Sequence, residues 1–142
     1  MTGFELTIIG DGPQMSHLKV KYDDLIKNNL ITFTGRIPRD EVFRCLKSSN
    51  VLVHTSYREG TATTIVEGIA NGNFIVAIDI GGHSCLINKT TGILLPLTRR
   101  EELVENLKNK LKFIEENRHL LNQQKVTWTW EKTITEITKN YV

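Results

Sequence analysis

Phe74-Ile75-Val76-Ala77-Ile78 is five apolar residues in succession, most of them β-branched or aromatic, closed soon afterwards by Gly81-Gly82. A strand that is apolar at every position has both faces covered, and such strands belong to parallel sheets with helices on either side. The rest of the chain fits that frame. Residues 5–9, 30–34, 50–54 and 92–95 are short, largely apolar runs bounded by Gly, Pro or polar turns. Segments of helical spacing alternate with them. Met15, Leu18, Tyr22, Leu25 and Ile26 predict one helix from Pro13 to about Asn28. Val42, Phe43 and Leu46 predict a second from Pro38, and a third spans about Ala62 to Asn71. Thr98 and Glu101 have the spacing of a capping box, opening a helix with Leu103, Leu107, Leu111 and Ile114 on one face. Strands alternating with helices imply βαβ units. The expected fold is α/β, a parallel sheet of about five strands flanked by helices. Residues 1–142 read as one domain, with 126–142 as a tail helix carrying Trp128 and Trp130 for packing.

Composition narrows the function. Eighteen Lys and Arg against sixteen Asp and Glu give a net charge of +2, too near balance for a nucleic-acid footprint. No apolar run approaches the roughly 18–20 residues of a membrane span. The start, Met1-Thr2-Gly3-Phe4-Glu5, has neither the basic end nor the apolar core of a secretory signal. Cys45 and Cys85 make no disulfide framework, and the expected location is cytoplasmic. His83 and Cys85 do not form a zinc site by themselves. His17, His54 and His119 fall on other elements, so no metal is expected.

In an open α/β sheet, ligands bind beyond the carboxyl ends of the strands. Gly10-Asp11-Gly12-Pro13 follows a strand there, and reads either as a phosphate-cradling loop or as a tight turn. It lacks the third glycine of G-x-G-x-x-G, and Pro13 removes a donor. Thr55 to Gly68 is more informative. Glu59 lies on the loop after a strand, and Glu67 lies about one turn into the next helix. Thr61, Thr63 and Thr64 offer amides and hydroxyls at that helix's N-terminus, a good place for a phosphate. A carboxylate just inside such a helix can accept both hydroxyls of a ribose. The competing reading makes Glu67 a first-turn acid favoured by the helix dipole and Glu59 a solvated loop charge.

Glu59-Gly60-Thr61, then Glu67-Gly68-Ile69-Ala70-Asn71-Gly72-Asn73-Phe74-Ile75-Val76-Ala77 and Asp79-Ile80-Gly81-Gly82, resembles the donor-site segment of glycosyltransferase family 4 (group 1). Its members have the two-Rossmann-domain architecture called GT-B. Leu6-Thr7-Ile8-Ile9-Gly10-Asp11-Gly12-Pro13, Ile31-Thr32-Phe33-Thr34-Gly35 and Thr127-Trp128-Thr129-Trp130-Glu131 are similar to further segments of that family, in the same order. The sequence departs from the pattern at Ala62 and Asn73, where the family often has proline, and at Cys85, where a glutamate usually follows the two glycines.

The resemblance implies a Rossmann-like C-terminal, donor-binding half of a GT-B enzyme, with the family's first βα unit missing before Leu6. It implies retaining transfer of a sugar from a UDP- or GDP-sugar, with no cofactor and no metal. Glu67 would hold the ribose hydroxyls and Glu59, the catalytic candidate, would face a hydroxyl of the donor sugar. The backbone of Gly60, Thr61, Ala62, Thr63 and Thr64 would contact sugar and phosphate oxygens. The Gly35-Arg36-Ile37 loop would lie beside the base, with Arg36 either stacked on it or solvated. The implied partners are the nucleotide-sugar and an N-terminal acceptor domain, in cis or in trans. Any contact with the inner membrane face would pass through that domain. A non-catalytic nucleotide-binding or interaction module and a sugar-nucleotide epimerase fragment are the alternative readings. If Leu6 to Ile9 is the family's second strand, the central strand is absent. The first strand here and Val51 to His54 are then expected to pair directly in one five-stranded sheet, with some tendency to self-associate.

Overall fold

All five apolar runs form strands in the computed structural model, which describes residues 3–59 and 62–122. The order is β1 (Leu6–Ile9), α1 (Met15–Lys21), α2 (Asp23–Lys27), β2 (Ile31–Gly35), α3 (Arg39–Ser48) and β3 (Val51–His54). There follow α4 (Thr63–Ala70), β4 (Phe74–Ile78), α5 (His83–Leu86), β5 (Gly92–Leu95), α6 (Arg100–Glu116) and α7 (His119–Asn122). The expected tail helix at 126–142 lies outside the described residues.

Every strand pair is parallel, as the alternation with helices requires, and the α/β class stands. The strands nevertheless fall into two sheets, β1-β2 and β3-β4-β5, and no ladder joins β1 to β3. The expected direct pairing of these two strands is therefore not made. Pairing stays instead between strands that follow one another in the chain, each linked to the next through helix. Two compact units follow the same division, with the boundary between Arg44 and Cys45.

In the first unit Leu6 lies opposite Ile31 and Ile8 opposite Phe33; the register then shifts and Ile9 faces Gly35. The helix expected from Pro13 to about Asn28 is two helices, broken at Tyr22, whose backbone leaves the helical region (φ −115°, ψ 25°). Pro13 does not sit in a first turn either. The Met15 amide donates to the Gly12 carbonyl at 3.0 Å, so Gly12 to Met15 is a β-turn with Pro13 at its second position.

In the second unit β4 is central, with Val51 opposite Phe74, His54 opposite Ala77, and Ile78 opposite Leu95. Its five side chains are all buried, as the uninterrupted apolar run implies. Ile65, Val66 and Ile69 of α4 pack with Ile75, Ala77, Leu86 and Ile87 in the core. Burying each such aliphatic side chain stabilises the fold by about 1.5–3 kcal/mol. On α6, Leu103 and Ile114 are buried and Leu107 and Leu111 half-buried, the face read from their spacing. Its cap differs from expectation. The N-cap is Arg99 and makes no side-chain cap hydrogen bond, while the Thr98 hydroxyl is buried with no partner among the described residues. The helix starts one residue too late for Thr98 and Glu101 to form a box.

Candidate functional site

Parallel strands bring their carboxyl ends to one edge, and the second unit gathers its chemistry there. His54 is the last residue of β3 and pairs with Ala77 of β4. After Ile78 the chain turns through Asp79-Ile80-Gly81-Gly82. Gly81 takes a positive φ of 52°, and the His83 amide donates to the Ile80 carbonyl at 3.1 Å. This turn carries His83 back beneath the strand ends, where it is fully buried. A carbonyl oxygen only accepts, so His83 Nδ1, 2.7 Å from the Ile78 oxygen, carries a proton. The two imidazoles meet edge to face, with centroids 5.3 Å apart and planes at 85°.

Glu59 approaches the same pair from the loop after β3. Its Oε1 lies 3.8 Å from His54 Nε2, with the His54 side chain 11% exposed and that of Glu59 36%. Burial pulls the His54 pKa below its usual 6.5, the neighbouring His83 lowers it further, and Glu59 opposes both. His54 Nδ1 and His83 Nε2 are buried and have no hydrogen-bond partner among the described residues. Among the described residues, no group of three or more His, Cys, Asp and Glu side chains is placed to hold a metal ion.

Ala62 is the N-cap of α4, buried and without a side-chain cap, and Thr63 and Thr64 form the exposed start of the helix. First-turn amides have no acceptor within their own helix, so those of Thr63 and Thr64 concentrate positive potential there. Glu67 is half-buried on α4, and its carbonyl accepts from the Asn71 amide and from Asn71 Nδ2 at 2.8 Å. Gly60 and Thr61 lie outside the described residues.

The first unit holds the other two loops read from the sequence. The Gly10 amide donates to the Gly35 carbonyl at 2.9 Å and the Gly12 amide to Asp11 Oδ1 at 2.8 Å. Two donors that a phosphate cradle would need are thus used by the protein itself, which decides for the tight turn. Gly35 takes a φ of 69°, and its carbonyl also accepts from Thr34 Oγ1 at 2.9 Å. Arg36 beyond it is exposed and Ile37 half-buried.

Sequence reasoning set His54 and His83 apart because they fall on different elements. The missed signal was topological. In neighbouring parallel strands, the last residue of one lies close to the turn that leaves the other.

The profile of the family described as Glycosyl transferases group 1 matches residues 2–127. A glycosyltransferase of Methanocaldococcus jannaschii, MJ1069, is 27% identical over 94% of this chain and 36% of its own length. The UDP-Gal:alpha-D-GlcNAc-diphosphoundecaprenol alpha-1,3-galactosyltransferase of Escherichia coli is 31% identical over 70% of this chain and 26% of its own. The chain thus spans about a third or less of either relative. The crystal structure of the pneumococcal O-GlcNAc transferase GtfA, in complex with UDP and GlcNAc, superposes with a TM-score of 0.67 at 19% identity. That match covers 94% of this chain and 29% of GtfA, and it shows a shared Rossmann-like GT-B fold. With the family's profile running through both units, the chain belongs to the group 1 glycosyltransferases.

Proposed function

We propose that this chain is the donor-binding portion of a retaining glycosyltransferase of family 4, the C-terminal half of a GT-B enzyme that moves a sugar from a UDP- or GDP-sugar. The observation that carries the reading is the β3–α4 connection. Glu59 sits on the loop at the carboxyl end of β3, and α4 opens with Thr63 and Thr64 one turn before Glu67. A diphosphate placed at the start of α4 meets first-turn amides, and a ribose beyond it comes within reach of the Glu67 carboxylate. Glu59 then faces a hydroxyl of the donor sugar. As the bond from the anomeric carbon to the diphosphate breaks, negative charge grows on the leaving phosphate. Fixed amide dipoles stabilise that charge without having to reorganise. The Gly35-Arg36-Ile37 loop is assigned to the base and an acceptor domain, in cis or in trans, to the other substrate. The nucleotides in the relatives' descriptions, UDP-Gal for the E. coli enzyme and UDP for GtfA, support this donor class.

Calorimetry with UDP and GDP tests it. Weak binding of one of them is expected, with Glu67→Ala weakening it by about 1.5–3 kcal/mol through loss of hydrogen bonds to a charged group. Equal affinity in wild type and variant removes Glu67 from the ribose role.

A further inference from the structure

A carboxylate that must meet a sugar hydroxyl in one orientation has to be held to within about 0.5 Å by its surroundings. Glu59 is on an exposed loop, which by itself gives little such restraint. The group that can supply it is His54. Its backbone is fixed in the β3–β4 ladder opposite Ala77, and its ring is held edge to face against the fully buried His83. The His83 ring is fixed in turn by the 2.7 Å contact of Nδ1 with the Ile78 carbonyl. The order of restraint therefore runs from strand β4 through His83 and His54 to Glu59.

The chemistry agrees with this order. A carboxylate only accepts, so a proton on His54 Nε2 suits the side facing Glu59 and leaves Nδ1 bare. Nδ1 is the His54 nitrogen that is buried with no partner among the described residues. At 3.8 Å, Nε2 and Oε1 are about 1 Å beyond a hydrogen bond, a gap that catalytic contacts often show before substrate binds. Packing alone does not account for the pair. Two apolar side chains would fill the same space without leaving His54 Nδ1 and His83 Nε2 buried and unsatisfied.

We propose that His54 is a positioning residue for Glu59, donating from Nε2 to hold the carboxylate in the orientation that meets the donor sugar, with His83 fixing the plane of the His54 ring. The proposal rests on the donor-binding reading of Glu59. It separates the sugar from the nucleotide: His54 governs the affinity of a nucleotide-sugar and leaves that of the bare nucleoside diphosphate unchanged. The titratable groups acting on His54 are Glu59 from the loop after β3 and His83 from α5.

Two measurements on the 142-residue chain test it. Calorimetry compares UDP and GDP with UDP-galactose and GDP-mannose. His54→Leu is expected to weaken nucleotide-sugar binding about tenfold, the size of one lost hydrogen bond to a charged group, without changing diphosphate binding. His54→Gln, which keeps a donor near Nε2, is expected to restore most of that loss. Glu59→Ala is expected to cost as much, and the double variant no more than either single one. Losses that add, or a His54→Leu loss equal for nucleotide-sugar and diphosphate, overturn the proposal. Independently, NMR titration of the His54 ring in wild type and Glu59→Gln reads the pair itself without any ligand. A midpoint that moves down in Glu59→Gln supports the coupling, and one that does not move overturns it. If the midpoint moves down and no nucleotide binds, the donor reading falls while the His54–Glu59 pair stands.

Discussion

Asn73 donates a hydrogen bond from its side-chain amide to the carbonyl of Leu46 at 2.9 Å. A second goes to the carbonyl of Ser49 at 2.8 Å, and the Asn73 side chain is fully buried. The last carbonyls of a helix lack partners within it, so this one residue closes the end of α3 from the entry to β4. The family often has proline at this position, which has no side-chain donor and could not make either bond. Asn73→Ala is expected to lower stability by about 1–3 kcal/mol through the loss of two hydrogen bonds, with the Leu46 carbonyl keeping only the 3.2 Å bond from the Ser49 amide. Asn73→Pro should do at least as much harm, because the Asn73 backbone amide also donates to the Gly68 carbonyl at 3.0 Å. Urea unfolding of the three proteins checks both values.

Two glycines of the second unit make a contrasting pair. A Cβ on Gly92 would run into the backbone carbonyl of Ile75 on the neighbouring strand, and a backbone in a central ladder cannot step aside. A Cβ on Gly68 would meet the end of the Leu52 side chain at 2.5 Å, which can change rotamer. Gly92→Ala should therefore destabilise by about 3 kcal/mol and Gly68→Ala by clearly less. A thermal melt in which the two variants lose the same stability would contradict this contrast between a side-chain neighbour at Gly68 and a backbone neighbour at Gly92.

Acid should weaken the fold through His54. Burial and His83 hold its folded pKa below the unfolded value of 6.5. Above 6.5 both states are neutral at this site, and its contribution to stability is at its full value. As the pH falls below 6.5 the unfolded chain takes up the proton first, so stability declines until the folded pKa is passed. Glu59→Gln removes the larger of the two influences raising the folded pKa and should carry the decline to lower pH. His83→Leu should shorten it. Denaturant midpoints measured from about pH 7.5 to pH 5 report the slope directly.

The 142-residue chain by itself should bind a donor without transferring its sugar. Transfer needs an oriented acceptor as well as a stabilised leaving group, and the residues assigned a role here all address the donor. Incubation with a nucleotide-sugar and a panel of lipid-linked and free glycan acceptors, read by mass spectrometry, should show no product. Transfer onto any of them would mean that this chain carries an acceptor site as well.

Legibility varied with the kind of signal. The apolar run 74–78 and the four-and-three spacing from Leu103 to Ile114 were readable because each pattern reports burial directly, and burial decided both elements. Glu59 and Glu67 were placed correctly on a strand-end loop and a following helix because strand, turn and helix are local properties. The break at Tyr22 was not readable: the apolar spacing continues across it while the backbone does not. The four-residue α5 is barely one helical turn, too short for an apolar repeat to recur, and was missed for that reason. The edge-to-face meeting of His54 and His83 depends on which strands are neighbours, and no spacing along the chain encodes that.

The fully buried core residues all belong to the unit that begins at Cys45; from Gly3 to Arg44 every described side chain keeps some exposure. A two-stranded parallel sheet with no sealed core has little apolar burial to set against the entropy of ordering its chain. Amide protons of β1 and β2 should therefore exchange with solvent well before those of β4, by openings that leave the second unit intact. The Gly35-Arg36-Ile37 loop lies on that fast-exchanging side. A nucleotide base bound there would have to order what it touches, so part of its interaction energy would appear as slower exchange in β1 and β2 and not as affinity.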